Sequence, residues 1–286
     1  MAKRVAVVTD STSNLPGEAV TEHGIRVVPL RVTLGHRLAV DDGVDVTPAD
    51  VTRALREKFP VSTSRPSPGE FVDAYRAALD DGAERVVSVH LSAALSGTWE
   101  SAVLAAQEFP FGVVRVVDSR SSAMGLGFPV LAAADEARRG GSAAAVQTAA
   151  TRAVDAVQTT FCVDSLEYLR RGGRVGTAAA LFGTSLAIKP LLHMVEGRIV
   201  PLEKVRTSSR AVARLRDLAV AAAGSGPVSI AVHHLDADDR AAALLDSLRS
   251  TLPALRSSSV SELGAVIGAH LGPGVLGIVL QRHWAT

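Results

Sequence analysis

The 286-residue chain is predicted to be an α/β protein, with a parallel sheet in its first half and a separate layer of hairpins and helices in its second half. In the first half, short apolar runs alternate with longer apolar-periodic stretches, as strands alternate with helices around a parallel sheet. In the second half, residues 188–195 and 198–205 flank Glu196-Gly197 as the two strands of a hairpin do. Hydrophobic residues make up 47% of the chain and aromatic residues only 4%, so the core must be Val, Leu, Ala and Ile.

Four buried strands are predicted in the first half, because each is a short apolar run followed by turn residues. They are residues 5–8, 25–34 with an interruption at Pro29, 85–89 and 113–117. Helices are expected after Thr47-Pro48 and Ser67-Pro68, where a hydroxyl N-cap precedes proline at the first helical position. Further helices are expected over 16–24, 99–109, 121–139 and 142–157.

The second half is predicted to contain a strand over 160–163, a short helix over 165–170 and the hairpin. Thr207 and the two serines after it are expected to cap a helix that reaches about Ala223. A strand over 228–232, a helix over 236–248 and a final strand over 274–280 follow. Because a single core rarely grows beyond about 250–300 residues, we expect two domains, residues 1–157 and 158–286.

Charge and cysteine content narrow the functional classes. The 30 basic and 29 acidic residues leave a net charge of +1, which predicts no nucleic-acid or membrane-surface partner. Cys162 is the single cysteine, so no internal disulfide can form and a reducing compartment is expected. The apolar run Val5–Val8 is too short for a signal peptide, and no segment reaches the roughly 18 apolar residues of a membrane span. We therefore expect a soluble, cytoplasmic protein.

The first candidate site is the turn Leu91–Thr98, between a predicted strand and a predicted helix. Unpaired N–H groups and the helix dipole favour an anion at such a position, and Ser96 and Thr98 add hydroxyl donors. The turn contains no lysine, so a carboxylate suits it better than a triphosphate. The alternative interpretation is that Ser96 only caps the helix.

Other polar residues also follow predicted strands or lie in turns. Asp10 and the hydroxyls after it either line the same crevice or cap locally. Capping explains Ser67 but not the run of hydroxyls at 62–64. Arg174, Arg206 and His270 each adjoin a turn in the second half, and they either converge on one site or lie on ordinary surface loops.

Motifs of self-sufficient catalysis are missing from the sequence. No HExxH, CxxC, GxSxG or P-loop pattern is present. His233 and His234 are adjacent on a predicted strand, where neighbouring side chains point to opposite faces, and so make a poor metal site. We expect no metal and no cofactor.

Seven short stretches, in order along nearly the whole chain, resemble the DegV family, which includes the fatty-acid-binding subunits of bacterial fatty acid kinase. Each stretch is weak alone, but the ordered set is specific. One departure is Arg65, where many relatives carry Gln. The stretches are Val8-Thr9-Asp10-Ser11, Thr63-Ser64-Arg65-Pro66, Leu95-Ser96-Gly97-Thr98, Asp164-Ser165-Leu166-Glu167-Tyr168-Leu169, Gly172-Gly173-Arg174, Lys204-Val205-Arg206-Thr207 and His270-Leu271-Gly272-Pro273-Gly274.

The resemblance implies an N-terminal three-layer α/β domain with a parallel sheet and a C-terminal α/β domain with a mixed sheet. One long-chain, palmitate-like fatty acid lies between them as the ligand. The residues that match its carboxylate ligands are Thr63 and Ser96, with Ser64, Gly97, Thr98 and His270 near the head group.

The resemblance further implies a carrier without catalytic residues of its own. A separate fatty acid kinase would convert the bound acid to an acyl-phosphate, with Arg174, Arg206 and His270 serving presentation or docking. A role in lipid transport or fatty acid metabolism is the broader form of this prediction. The alternative is a self-sufficient hydrolase or phosphotransferase that uses Ser96 or His270.

Overall fold

The computed structural model describes residues 4–181 and 188–283, and its helices and strands follow in chain order. The first half contains β1 Val5–Asp10, α1 Gly17–His23, β2 Arg26–Val28, β3 Arg31–Leu34, β4 Arg37–Val40, α2 Pro48–Arg56, β5 Val61–Ser64, α3 Pro68–Asp80, β6 Arg85–His90, α4 Thr98–Ala106, β7 Val114–Asp118, α5 Met124–Arg138 and α6 Ala143–Ala156. The second half contains β8 Val157–Cys162, α7 Glu167–Arg171, β9 Lys189–Val195, β10 Arg198–Val205, α8 Ser208–Ala223, β11 Val228–His234, α9 Asp238–Thr251, β12 Leu255–Glu262, α10 Ala265–Leu271 and β13 Leu276–Arg282.

A four-stranded parallel sheet with the order β2-β1-β6-β7 forms the centre of the first half. Val8 and Val86 pack on one face against α3 and α4. Val7 and Val87 alternate to the other face and pack against α5 and α6. The first half therefore has three layers, and the predicted parallel sheet is confirmed.

A second, antiparallel sheet of three strands has the order β4-β3-β5. The single strand predicted over 25–34 is wrong, because β2 and β3 belong to different sheets. Pro29 lies between them and has no N–H to donate to a ladder, so the chain leaves one sheet there and enters the next. In the new sheet, Thr63 of β5 pairs with the fully buried Val32 of β3, which turns Thr63 inward.

The second half is built on a mixed six-stranded sheet with the order β10-β9-β8-β13-β11-β12. Only β11 and β12 pair in parallel; the other neighbours are antiparallel. Leu191, Ile230 and Ile278 face α8 and α9. Ala231 and Val279 face the opposite way and pack against α5 of the first half, so the inner face of this sheet is turned toward the parallel sheet.

Helix α10 was not predicted, and it joins the two halves. Ala265, Val266 and Ala269 belong to the same core as Val51 and Leu55 of α2. Because a segment late in the chain completes the core of the first half, the division at residue 157 stays a prediction.

Two further elements differ from the sequence analysis, one helix that begins later than predicted and one strand for which no prediction was made. The predicted helix over 121–139 begins only at Met124, because residues 119–123 form a turn in which Ser119 and Ser121 hydrogen bond each other. Strand β12 was missed since it is rich in serine and is exposed along much of its length. Within the ranges that the structure describes, no helix has the length and hydropathy needed to cross a bilayer.

Candidate functional site

A cavity of about 450 Å³ lies between the inner face of the six-stranded sheet and the first half of the chain. The three-stranded sheet, the loop after β6, α10 and strands β8, β9, β11 and β13 contribute its walls. Apolar residues form most of the lining: Leu30, Leu91, Leu95, Ala123, Phe161, Leu169, Met194, Ile199, Leu263, Val266, Ile267, Leu271, Val275, Ile278 and Val279. A chamber of this size and character suits an apolar small molecule.

Four polar residues meet in one part of the lining, and we call them the polar cluster: Thr63, Ser96, Arg174 and His270. Thr63 Oγ1 lies 2.8 Å from His270 Nε2. Arg174 Nε donates to the carbonyl oxygen of Leu95, next to Ser96, at 2.9 Å. The cluster thus draws on β5, the loop after β6, the turn after α7 and helix α10.

The His270 ring is neutral at pH 7. Burial, and secondarily the charge of Arg174, lower the pKa of His270 to about 4. Its Nδ1 is buried and has no hydrogen-bond partner in the part of the chain that the structure describes. A Cβ on Gly172 would lie 2.1 Å from Nδ1, so the ring fits only because residue 172 is glycine.

Positive charge in the cluster therefore comes from Arg174. Arg65 also lines the cavity, but its guanidinium donates to Glu100 Oε2 at 3.0 Å and to the Gly97 carbonyl at 3.1 Å. Its charge is balanced by that carboxylate. The site is therefore only weakly cationic, and it offers hydroxyl groups rather than several positively charged side chains.

The loop that carries Ser96 is fixed by a buried carboxylate. Asp10 accepts from the backbone N–H of Leu91 and of Thr12, each at 3.0 Å, and lies 3.0 Å from His90 Nδ1. On the other side, Ser92 Oγ donates to the Gly197 carbonyl of the β9–β10 hairpin at 2.7 Å. The loop is therefore tied to both halves of the molecule.

Three polar side chains elsewhere in the lining, those of Thr12, Thr159 and His233, are hydrogen bonded to the protein. Thr12 donates to Asp10, and Thr159 Oγ1 lies 3.2 Å from Ser121 Oγ. His233 Nε2 accepts from the Met124 N–H at 3.2 Å, so Nδ1 carries the proton and donates to Ser261 Oγ at 3.0 Å. These three groups add little polarity to the cavity.

Comparison with known proteins identifies the family. The family model described as "Uncharacterised protein, DegV family" matches residues 4–283. The chain belongs to the DegV family. A DegV domain-containing protein of Streptomyces coelicolor is 53% identical over 283 residues, which cover 99% of this chain and 100% of that protein.

Solved DegV structures have the same fold. A DegV family protein from Thermus thermophilus, described as fatty acid binding, has a TM-score of 0.92 at 39% identity and covers 98% of this chain and 100% of its own. DegV of Bacillus subtilis, described as a fatty acid binding protein, has a TM-score of 0.87 at 32% identity. The match covers 98% of this chain and 100% of that protein's chain. The predicted fold class and the resemblance stated from the motifs are confirmed.

Six of the predicted site residues of this DegV protein line the cavity. They are Thr63, Ser64, Ser96, Gly97, Arg174 and His270. Thr98 is fully buried and lies behind Ser96, with 2.9 Å between the two hydroxyl oxygens. Arg206 is exposed just after β10 and does not line the cavity.

Two local interpretations need correction. Ser96 is not the N-cap of α4; that position is Gly97, and the Ser96 hydroxyl accepts from the Thr98 N–H at 3.3 Å while facing the cavity. His270 does not lie in a glycine turn but in the last turn of α10, because Gly268 is accommodated inside that helix. The loop after Asp10 reaches the cavity through Thr12, whereas Asp10 itself lies behind the wall.

Sequence reasoning missed the apolar lining of this DegV protein. Phe161, Met194 and Val279 lie on three different strands, and only alternation within each strand signals which residues share a face. In residues 4–181 and 188–283 no group of three or more His, Cys, Asp or Glu side chains is placed to hold a metal ion.

Proposed function

We propose that this DegV protein binds one long-chain fatty acid in the cavity and presents the carboxylate to a separate kinase that forms an acyl-phosphate. The observation that carries the proposal is an apolar chamber of about 450 Å³ whose lining includes the hydroxyls of Thr63 and Ser96, with Thr63 in contact with a neutral histidine. Burying an acyl tail contributes about 0.8 kcal/mol for each methylene, so the tail dominates affinity.

The head group is held by neutral donors in this proposal. His270 Nε2–H donates to Thr63 Oγ1, which leaves the Thr63 hydroxyl proton free to donate to the carboxylate. Ser96 supplies a second hydroxyl, with Ser64, Gly97 and Thr98 close by. A buried carboxylate without such donors would cost several kcal/mol. Hydroxyl groups bind it without the tight ion pair that would lower its nucleophilicity.

Two related proteins support the choice of ligand, since those from Thermus thermophilus and Bacillus subtilis are described as fatty acid binding. Presentation to a kinase is supported by position. Arg174 lies in the cavity wall, and Arg206 is an exposed cation that makes no ion pair or hydrogen bond with the described residues. Guanidinium groups suit a transferred phosphate or an acidic docking surface.

The alternative, a hydrolase, has one observation in its favour, the 2.8 Å contact between Thr63 Oγ1 and His270 Nε2. A catalytic histidine needs a third group on its other nitrogen to orient it. His270 Nδ1 has no such partner among the described residues. Among the same residues, the Ser96 hydroxyl forms hydrogen bonds only with Thr98. The contacts therefore favour a carrier.

The test is gentle purification followed by native mass spectrometry and identification of any extracted ligand. We expect one long-chain fatty acid for each chain, removable by organic extraction and restored by added acid. Protein that purifies empty, takes up no added acid and hydrolyses esters would overturn the proposal in favour of the hydrolase.

A further inference from the structure

We propose that Met194 and Thr159 form the wall that ends the acyl channel and so set the longest fatty acid that this protein accepts. This inference rests on the proposed function and concerns the end of the cavity remote from the polar cluster. Both residues line the 450 Å³ cavity and also a second cavity of about 300 Å³. They are the two residues common to both linings, so their side chains separate the two spaces.

Strand register places this pair far from the polar cluster. Val275, Gly277 and Val279 line the channel in succession along β13, beginning just after His270. At about 3.4 Å for each residue, Val279 lies about 14 Å farther along than Val275. Val279 pairs with Thr159, so Thr159 lies at that far end.

Met194 lies beside Thr159. Phe161 pairs with Leu192 across β8 and β9, and Thr160 pairs with His193. Thr159 and Met194 are the next residues on the two strands and, by alternation, share the inner face with Phe161 and Leu192. The two side chains together close the channel at this row of the sheet.

The second cavity beyond the wall is unlike the channel. Its lining includes Ser119, Ser121 and the charged side chains of Arg120, Asp155 and Glu196. Arg120 pairs with Asp155 and, at 3.6 Å, with Glu196. A methyl terminus gains little by entering such a space, so the wall marks a physical limit on chain length.

The consequence is a measurable length profile. Each methylene buried before the wall raises affinity about fourfold, and the increase stops where the tail meets Met194 and Thr159. Removing most of the Met194 side chain leaves room for the added methylenes where that side chain stood, before the charged second cavity is reached. The acid two carbons beyond the wild-type limit should then bind about fourfold to sixteenfold more tightly than it binds wild-type protein.

The experiment titrates delipidated wild-type protein, Met194→Ala and Thr159→Ala with a series of straight-chain saturated acids that differ by two carbons. Both variants are expected to move the length of maximal affinity to longer acids, while the affinities of short acids stay within about twofold. Met194→Leu, which restores an apolar side chain of similar volume, should return the limit toward the wild-type value. Val195→Ala is the matched control, because Val195 lines only the second cavity.

The outcomes separate this inference from the proposed function. Thermal unfolding checks that both alanine variants are folded. If both are folded and the longest acid that they bind well is unchanged, Met194 and Thr159 do not end the channel. If one variant fails to fold, the other and Met194→Leu still report the limit. Failure of wild-type protein to bind any acid would instead overturn the proposed function.

Discussion

At the scale of single residues, the site combines hydroxyl groups that line the cavity with a neutral histidine that contacts one of them. The hydroxyls of Thr63 and Ser96 reach the cavity from separate elements of the first half. His270, made neutral by burial, contacts Thr63 rather than standing alone. The Arg174 guanidinium donates to the carbonyl oxygens of Leu95 and Gly172. In the proposed complex the two hydroxyls therefore supply the hydrogen bonds to the carboxylate, and their removal should affect affinity.

Removing either hydroxyl should weaken fatty acid binding without unfolding the protein. Thr63→Val and Ser96→Ala each delete a hydrogen bond to a charged acceptor, worth about 1.5–3 kcal/mol, or a loss of affinity of about 10- to 150-fold. Titration with a fluorescent fatty acid measures the change. Ser62→Ala is the control, since Ser62 is an exposed hydroxyl beside Thr63 that does not line the cavity. Unchanged affinity in the double variant would place the carboxylate elsewhere.

Folding stability of the delipidated protein should fall as the solution is acidified below about pH 6.5. Burial lowers the pKa of His233 to about 4, and burial together with Arg174 does the same for His270. In the unfolded chain these histidines bind a proton near pH 6.5, whereas in the folded chain they bind one only near pH 4. Each histidine therefore lowers the free energy of unfolding by up to about 1.4 kcal/mol for each unit by which the pH falls across that window.

Urea unfolding at a series of pH values between about 7 and 4 measures this slope. His233→Gln and His270→Gln cannot titrate there, so each variant should lose part of the wild-type slope even if its stability at pH 7 is lower. Slopes that are identical in all three proteins would contradict the assignment.

At the scale of elements, α10 matters most, because it carries His270 and also Val266 and Ile267 of the lining. Residues of the first half satisfy its N-terminus. Asn14 Oδ1 accepts from the Gly264 N–H at 2.8 Å, and Asp41 Oδ1 accepts from the Ala265 N–H at 3.0 Å. Burial raises the pKa of Asp41, and its bond from Ser11 opposes that shift. The helix is thus capped across the interface between the halves.

Loss of the Asn14 amide should loosen this helix. Asn14→Gly keeps the left-handed backbone that residue 14 adopts, with φ of 53°, but leaves the Gly264 N–H unpaired. We expect unfolding free energy to fall by about 1–3 kcal/mol and amide hydrogen exchange in α10 to quicken. Asn14→Ala should cost more, since alanine also strains that backbone. Equal stability of Asn14→Gly and wild-type protein would show that the cap contributes nothing.

Elements whose signals are local were predicted well. Thr47 and Ser67 form the capping boxes that their spacing to Asp50 and Glu70 indicates. The hairpin at Glu196-Gly197 pairs as its turn predicts. Strands β4, β5 and β12 and helix α10 were not predicted, because two four-residue strands, a strand rich in serine and a seven-residue helix containing glycine have weak local preferences and depend on tertiary contacts.

The polar residues of the site could also be predicted from the sequence, whereas its apolar lining could not. Thr63, Ser96, Arg174 and His270 could be singled out from turn positions and from the ordered motifs of the family. The apolar channel could not, because Leu30, Phe161 and Val266 come together only when three sheets and a helix pack. Residues of the cavity wall lie more than two hundred positions apart in the chain, so no local pattern in the sequence shows that they meet.

At the scale of the whole molecule, the proposed partner kinase must reach a carboxylate held between two halves. Arg206 is exposed and lies outside the lining, so it is suited to contact the partner rather than the acid. Binding of the acid and recognition by the kinase should therefore be separable.

Arg206→Ala should keep acid loading, because the tail supplies most of the affinity. Acyl-phosphate formation with added kinase and ATP should fall about 10- to 150-fold, the range for one lost charge-assisted bond. Arg152→Ala, an exposed arginine of α6, is the control. Loading is measured by mass spectrometry and product by trapping with hydroxylamine. Full phosphorylation of acid carried by Arg206→Ala would rule out this docking role.

The position of β13 has a consequence for synthesis of the chain. This strand pairs with β8 on one side and β11 on the other, although it follows both of them in the sequence. During translation, β8 to β12 therefore emerge while the centre of their sheet is still missing, and α10 has not yet covered the core around α2. The second half can close only after residue 282 has left the ribosome. Until then its unpaired strands are exposed to aggregation or to chaperones.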